Sequence, residues 1–476
     1  MASVSARALA ALLADWRAAS AGPAYTVLAD RIRLLILDGR IAYGTRMPAE
    51  RELAAQLGMS RTTITAAYAE LRDGGYLDSQ RGSGSSARIP QSSTIPAETA
   101  IAGYLDFTKA TSPASSGLAA AAVLAAEDYP AYLGGSGFDL VGLPVLRTAL
   151  AARFTSRGLP TEPEQLMVTV GAQHAIALLA RTFLGRGSNA IVESPSYPHA
   201  FEALRLTGAR LATVNVTTDD GWDVAALGDQ FRRSHPAFAY LMPDFHNPTG
   251  RTMDAELRER VVALAEVAGC ALVADETTAE LDIDGPAPGA KRPLPIAAFG
   301  PAITVGSLAK TVWGGLRIGW IRAERDTIQR LVRARPAGDL GTPILDQLVA
   351  AHILADFDAV LAQRRDQLRA GRDHLVTALR ERFPEWRVPD VAGGLAVWAG
   401  LGAPVSSQLA LAARANGLLI AAGPRFGVDG AFERFLRIPF SYSAEETDRA
   451  LDALAVAWAS LGQGLPSESG YLAEVV

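Results

Sequence analysis

Only three lysines, Lys109, Lys291 and Lys310, stand among 42 arginines in this 476-residue chain. Nearly every position that needs only a positive charge is therefore written as Arg, and Lys310 is a choice. It sits in Val305-Gly306-Ser307-Leu308-Ala309-Lys310-Thr311, followed by Gly314-Gly315-Leu316-Arg317-Ile318-Gly319. Arginine stays charged at any working pH, whereas a lysine in a cationic, desolvated site loses its proton and attacks a carbonyl as a Schiff-base nucleophile. A cofactor with an aldehyde needs such an amine. Ser307 and Arg317, set among glycines that let backbone approach a ligand, could hold a phosphate on that cofactor.

Other stretches must deliver the rest of such a site. QLMVTVGAQHAIALLARTFL reads strand, turn, helix, with Gly171-Ala172-Gln173 at the turn, where backbone N–H groups at a helix start seat a phosphate. AIVESPSYPHA ends in Tyr197, a flat ring able to stack on a pyridine or to pack in a core. AYLMPDFHNPTG ends in Asn247, which Pro248 restricts to an extended or turn conformation and which can donate to a phenolic oxygen. ALVADETTAEL places Asp275 after a strand, where a carboxylate can pair with a protonated ring nitrogen. From Val123 onward short apolar runs alternate with helical patterns, which predicts a mostly parallel sheet covered by helices, its strand ends presenting a site at one edge. One predicted helix follows Gly142 and Pro144. Cys270, the single cysteine, precedes a buried strand and reads as structural.

The order of these stretches resembles the fold-type I pyridoxal-phosphate enzymes of the class I aminotransferase group over nearly all of residues 120–460. The resemblance implies that the Gly171–Gln173 backbone, Ser307 and Arg317 hold the phosphate of pyridoxal 5'-phosphate. It implies that Tyr197 stacks on the ring, Asn247 binds the phenolate oxygen, Asp275 pairs with the ring nitrogen and Lys310 bonds the aldehyde. Arg437, in FERFLRIPFS, matches the arginine that clamps a substrate α-carboxylate. Two departures stand out. Members usually carry a tyrosine two or three residues after the aspartate, where this chain has Thr277 and Thr278, and many carry serine where it has Ala309. Full aminotransferase turnover is thus not expected, though partial cofactor chemistry is.

Ahead of these stretches, charge and pattern change. Residues 1–90 hold 11 Arg against 8 acidic residues, a balance of +3, which leaves −8 of the net −5 to the rest, so only the first segment is placed to seek DNA phosphates. YTVLADRIRLLILDG predicts an amphipathic helix with Leu28, Ile32, Leu35 and Ile36 inward, Arg31 and Asp38 outside, and Gly39 as its stop. MPAERELAAQLGMSRTTITAAYAELRDGGYL predicts two helices joined at Gly58, the second capped by Ser60, with Ile64, Ala67, Tyr68 and Leu71 inward. YLDSQRGSGSSARI predicts two strands around a tip at Gly82 to Ser85. The whole resembles the winged helix-turn-helix of the GntR family of bacterial regulators, in which residues matching Arg51, Ser60, Arg61, Thr62, Thr63 and Gly82 touch DNA.

The expected organisation is an N-terminal extension (1–24), a winged helix-turn-helix (25–89), a linker (90–105) and a pyridoxal-phosphate-binding α/β domain (106–476) with a smaller subdomain from about 335. That architecture is similar to the MocR subfamily of transcriptional regulators. The resemblance implies a homodimer that binds promoter DNA and senses the cofactor, an amino acid or an amine, with no metal. The rivals are an aminotransferase and a DNA-binding protein whose large domain only dimerises. Composition, with 49% hydrophobic and 20% charged residues, no apolar run of transmembrane length and Asp15 inside any would-be signal segment, leads to an expected cytoplasmic location without a membrane partner.

Overall fold

The computed structural model describes residues 3–13, 16, 23–37, 41, 45–80, 84–88, 103–285, 292–428 and 430–461. Asp38, Gly39, Gly82, Lys291 and most of the expected linker lie outside them.

In the N-terminal module, α1 (Ala6–Leu13) and α2 (Ala24–Leu37) precede α3 (Glu50–Leu57) and α4 (Arg61–Asp73). Gly58 caps α3 at φ +64°, the left-handed conformation a side chain disfavours, and this redirects the chain into α4. Ser60 Oγ accepts the Thr63 N–H at 3.1 Å and starts α4. Leu28, Ile32, Leu35, Ile36, Ile64, Ala67, Tyr68 and Leu71 are all buried, as the 3.6-residue period predicts for the inward faces. Tyr68 donates to the Pro48 carbonyl (3.0 Å) and Thr65 to Glu50 (2.7 Å), which pins α4 across α3. The wing pairs β1 (Leu77–Gln80) with β2 (Gly84–Ala87). Gly84 and Ser85 therefore belong to a strand, not to the tip expected of them. Arg31, expected outside, is half-buried and lies 3.9 Å from Glu433.

The large unit is an eight-stranded sheet of β4 (Leu166–Thr169), β5 (Asn189–Ser194), β6 (Arg210–Thr217), β7 (Gly221–Trp222), β8 (Phe238–Leu241), β9 (Ala271–Asp275), β10 (Ile303–Ser307) and β11 (Gly319–Arg322). Their order is β4-β11-β10-β9-β8-β5-β6-β7. The run from β10 to β6 is parallel, while β11 and β7 oppose their neighbours, so the sheet is mostly parallel as predicted. All residues of β4, β8 and β10 are buried, as expected of strands covered by helices on both faces. The smaller unit is a second sheet, of β12 (Ala396–Gly400), β13 (Leu418–Ala422) and β14 (Phe435–Pro439). Its fourth strand comes from far upstream: β3 (Leu105–Phe107) pairs parallel with β13, Leu105 opposite Leu418. Leu105, read as linker, thus opens a strand, and the smaller unit takes chain from before the large sheet as well as after it.

Candidate functional site

The ends of β9 and β10, the turn after β4 and the Asn247 loop open into one cavity of about 660 Å³, within the range of small-molecule sites. Ala172, Gln173, Tyr197, Asn247, Asp275, Ser307, Lys310, Arg317 and Arg437, nine of the ten non-DNA candidates, line it, and Gly171 adjoins them.

At one end, Gly171 takes φ +86° as N-cap of the helix Ala172–Phe183. A Cβ at Gly171 would lie 2.5 Å from an Arg317 Nη, so the glycine leaves the guanidinium a seat against the helix start. Arg317, itself left-handed at φ +54°, donates to the Val170 carbonyl (3.0 Å) and the Gly314 carbonyl (3.2 Å). That end is an anion cradle made of backbone N–H groups and a fixed guanidinium. Ser307 points its hydroxyl at the Ile318 carbonyl (3.0 Å) and accepts the Ala309 N–H (3.1 Å), so it must turn to donate to a ligand. His174, one turn into the helix, accepts the Val170 N–H at Nδ1 (3.1 Å), with Nε2 2.8 Å from Asp339.

Asp275 is 3% exposed, and burial raises its carboxyl above the usual range. Its Oδ2 accepts from the Tyr240 hydroxyl (2.6 Å) and its Oδ1 from the Thr277 N–H (2.9 Å). A buried carboxylate held in this way is suited to pair with a cation brought by a ligand. Sequence reasoning missed Tyr240, because nothing in FAYL distinguishes it from a core tyrosine. Tyr197 meets His199 edge-on, centroids 5.4 Å apart, and burial raises its phenol. Asn247 enters the cavity at a cis Asn247–Pro248 bond. Thr278 is committed to the Asp244 carbonyl (2.8 Å), while the Thr277 hydroxyl donates to Asp275 and so favours its charged form.

Lys310 Nζ donates to the Ala110 carbonyl at 3.0 Å. Burial and the Arg437 charge, against the pull of Asp275, lower its amine from 10.5 to about 8. At pH 7 about one molecule in ten would hold the free amine, against roughly one in 3,000 at the ordinary value. Capture of an aldehyde by the apo-protein is therefore expected to speed up nearly tenfold per pH unit below pH 7 and to level off by about pH 9. Stopped-flow absorbance measures it; a rate still climbing tenfold per unit at pH 10 would put the amine back at its ordinary value.

Arg437 lies on β14, an interior strand, and is 1% exposed. One Nη donates to the Thr108 carbonyl, its guanidinium packs 5.0 Å from the Phe426 ring, and its Nε has no protein partner. Burial lowers it to about 10, which leaves it charged at neutral pH. A buried cation with an unused donor facing a cavity fits a carboxylate. Lys109 also lines the cavity, paired with Asp106 at 3.3 Å; no motif around it pointed to a place near Lys310.

On the N-terminal module, Arg51, Arg61 and Thr62 are exposed together at the helix-turn-helix, while Thr63 is half-buried and shares a 2.7 Å hydroxyl contact with Ser60. Among the described residues no group of His, Cys, Asp and Glu could hold a metal, and no helix is long and apolar enough to cross a membrane.

Residues 118–454 match the family model of class I and II aminotransferases, and residues 24–86 that of the gntR family of bacterial regulatory proteins. A 2-aminoadipate transaminase of Thermus thermophilus is 31% identical over 60% of this chain and 73% of its own length. An uncharacterised HTH-type transcriptional regulator of Bacillus subtilis, YisV, is 26% identical over 86% of this chain and 90% of its own. The crystal structure of LysN, the α-aminoadipate aminotransferase of Thermus thermophilus in complex with N-(5'-phosphopyridoxyl)-L-leucine, superposes with a TM-score of 0.67. It is 29% identical and covers 76% of this chain and 94% of that one.

Proposed function

Because the chain belongs to the class I and II aminotransferase family and carries a gntR-type module ahead of that domain, we propose that it is a pyridoxal-phosphate-dependent transcriptional regulator. In this reading it binds promoter DNA through α4 and senses an effector in the 660 Å³ cavity. The observation that carries it is the pairing in one chain of a cavity lined by the expected cofactor residues with an exposed helix start in the helix-turn-helix. When bound, the cofactor supplies an aldehyde conjugated to an electron-withdrawing ring. The chain's own groups do the rest. The Gly171 turn and Arg317 would hold the phosphate, Asp275 would keep a proton at the ring nitrogen, Asn247 would donate to the phenolate, Tyr197 would cover the ring and Lys310 would supply the amine for the aldehyde. Arg437 receives an effector carboxylate. Arg51, Ser60, Arg61, Thr62 and Thr63 face DNA.

A second copy of the chain completes the reading. Val123, Val145 and Leu345 are at least 40% exposed on the helices Leu118–Asp128, Pro144–Ser156 and Ile344–Ala355, of which the third packs against the other two, and Leu133, Phe138 and Leu340 are exposed in loops. An apolar face of this kind on a folded domain marks an interface. A dimer would read two DNA half-sites.

For sensing, occupancy must favour one arrangement of the winged helices, since a ligand bound equally in both shifts nothing. A link exists: Glu433, at the approach to the Arg437 strand, accepts the Ser407 N–H (3.0 Å) and lies 3.9 Å from Arg31 of α2. A coupling of about 1–3 kcal/mol would change operator affinity roughly 5- to 150-fold between apo and loaded protein. Footprinting on the protein's own upstream region is the test, with Lys310→Ala expected to lose most of the difference and Arg437→Ala the part due to a carboxylate effector. The 31% identity to a transaminase favours the enzyme as second reading. Equal operator affinity in all states, with turnover of amino acid and keto acid at about 1 per second or faster, would establish it instead.

A further inference from the structure

The amine and the guanidinium that ligands would claim both donate to one short piece of chain. Lys310 Nζ donates to the Ala110 carbonyl at 3.0 Å, and an Arg437 Nη donates to the Thr108 carbonyl. Lys109, Ala110, Thr111 and Ser112 line the cavity, so this segment is part of its wall. A second pair of donors holds the segment from behind. Tyr442 directs its hydroxyl at the carbonyls of Lys109 (2.8 Å) and Asp106, and Ser441 donates to that of Thr111 (2.8 Å). The Tyr442 ring also stacks on Phe107, with centroids 4.1 Å apart. Both residues stand outside the cavity lining.

The two pairs differ in what a ligand does to them. When the Lys310 amine condenses with an aldehyde, a C=N bond takes the place of two N–H bonds and the aldehyde oxygen leaves as water. The nitrogen then serves the ligand and no longer the Ala110 carbonyl. On Arg437 the edge with the unpartnered Nε includes the Nη that donates to Thr108, so a carboxylate bound side-on draws on that donor. Thr108 and Ala110 are buried, and a buried carbonyl that loses its donor is costly, so the segment must rearrange. Tyr442 and Ser441 are untouched by either event, so it pivots on them and does not come away.

Upstream, the segment continues directly from β3, a three-residue strand at the edge of its sheet, where few contacts resist a shift. Beyond β3 the same chain leads back to the winged helix, which it leaves after Arg88. We propose that residues 108–112 are a strap that competes with cofactor and effector for Lys310 and Arg437, and that its displacement passes through β3 to the DNA-reading module. This role rests on the regulator reading given under Proposed function and names the part that would move.

Two measurements on the full-length protein test the strap. Hydrogen–deuterium exchange compares apo protein with protein loaded with pyridoxal 5'-phosphate. A ligand ordinarily slows exchange in what it touches, but peptides covering 105–112 are expected to exchange at least about threefold faster when loaded, and those covering β10 are not. Operator affinity is then measured with a Gly-Gly-Ser insertion after Ala102, which leaves the cavity alone and absorbs a displacement of β3. The visible band is expected to remain, while the apo-to-loaded difference in affinity, roughly 5- to 150-fold in wild type, falls to about twofold. An insertion that only misplaced the module would weaken both states alike. Strap amides that slow or stay unchanged on loading overturn the proposal, as does an insertion variant that responds as fully as wild type. A response that survives the insertion and is lost in Glu433→Gln assigns transmission to the Arg31 contact instead. A wild-type protein that binds the cofactor with no change in operator affinity refutes the regulator reading, on which the strap depends.

Discussion

Lys310→Ala loses the visible absorption band that pyridoxal 5'-phosphate gives when bonded to the wild-type protein, and its operator binding becomes insensitive to the cofactor. Only a side-chain amine can bond the aldehyde, and alanine leaves the phosphate cradle of Gly171 and Arg317 intact but supplies no nucleophile. Lys109 makes the test sharper. It lines the same cavity, so a second amine stands within it, engaged with Asp106 at 3.3 Å and lacking the Ala110 carbonyl contact that places Lys310 Nζ. The band is expected to persist in Lys109→Ala. If it survives in Lys310→Ala and vanishes in Lys109→Ala, the bond belongs to Lys109 and the cradle has been read with the ligand reversed.

Specific operator binding is expected to disappear in Arg61→Ala while the dimer and the visible band remain. Arg61 is the first residue of α4 and exposed, on the turn that would reach base edges in the major groove if α4 is the recognition helix proposed. Its packing role is slight, since the buried face of α4 is carried by Ile64, Ala67, Tyr68 and Leu71. A bidentate arginine–guanine contact is worth about 1–3 kcal/mol of discrimination per half-site, so a dimer loses roughly 30- to 20,000-fold in specificity if both contacts go. Salt-titrated binding to the upstream fragment and to a scrambled duplex separates this from a loss of phosphate contacts, which would weaken both duplexes alike. Wild-type affinity and salt dependence in Arg61→Ala would show that another element reads the DNA.

The chemistry of the cavity and the inward faces of the helices were legible in the order of residues. Asp275, Ser307 and Lys310 each sit at or just beyond the end of a short apolar run, and a parallel sheet carries such ends to one edge whatever the details of packing. Periodicity marked the buried faces of α2 and α4 in the same way, because the side-chain repeat of a helix is a local property. The partners of these groups came from the folded chain. The carbonyls of Ala110 and Thr108 that receive Lys310 and Arg437 follow β3, and β3 reaches them only because it pairs with β13, from the other end of the chain. Tyr240 meets Asp275 because β8 lies next to β9, and Lys109 enters the cavity through the same long-range pairing as β3. Local pattern encodes which groups are buried and which can react; strand order, set by non-local pairing that leaves no periodic trace, decides whom they meet.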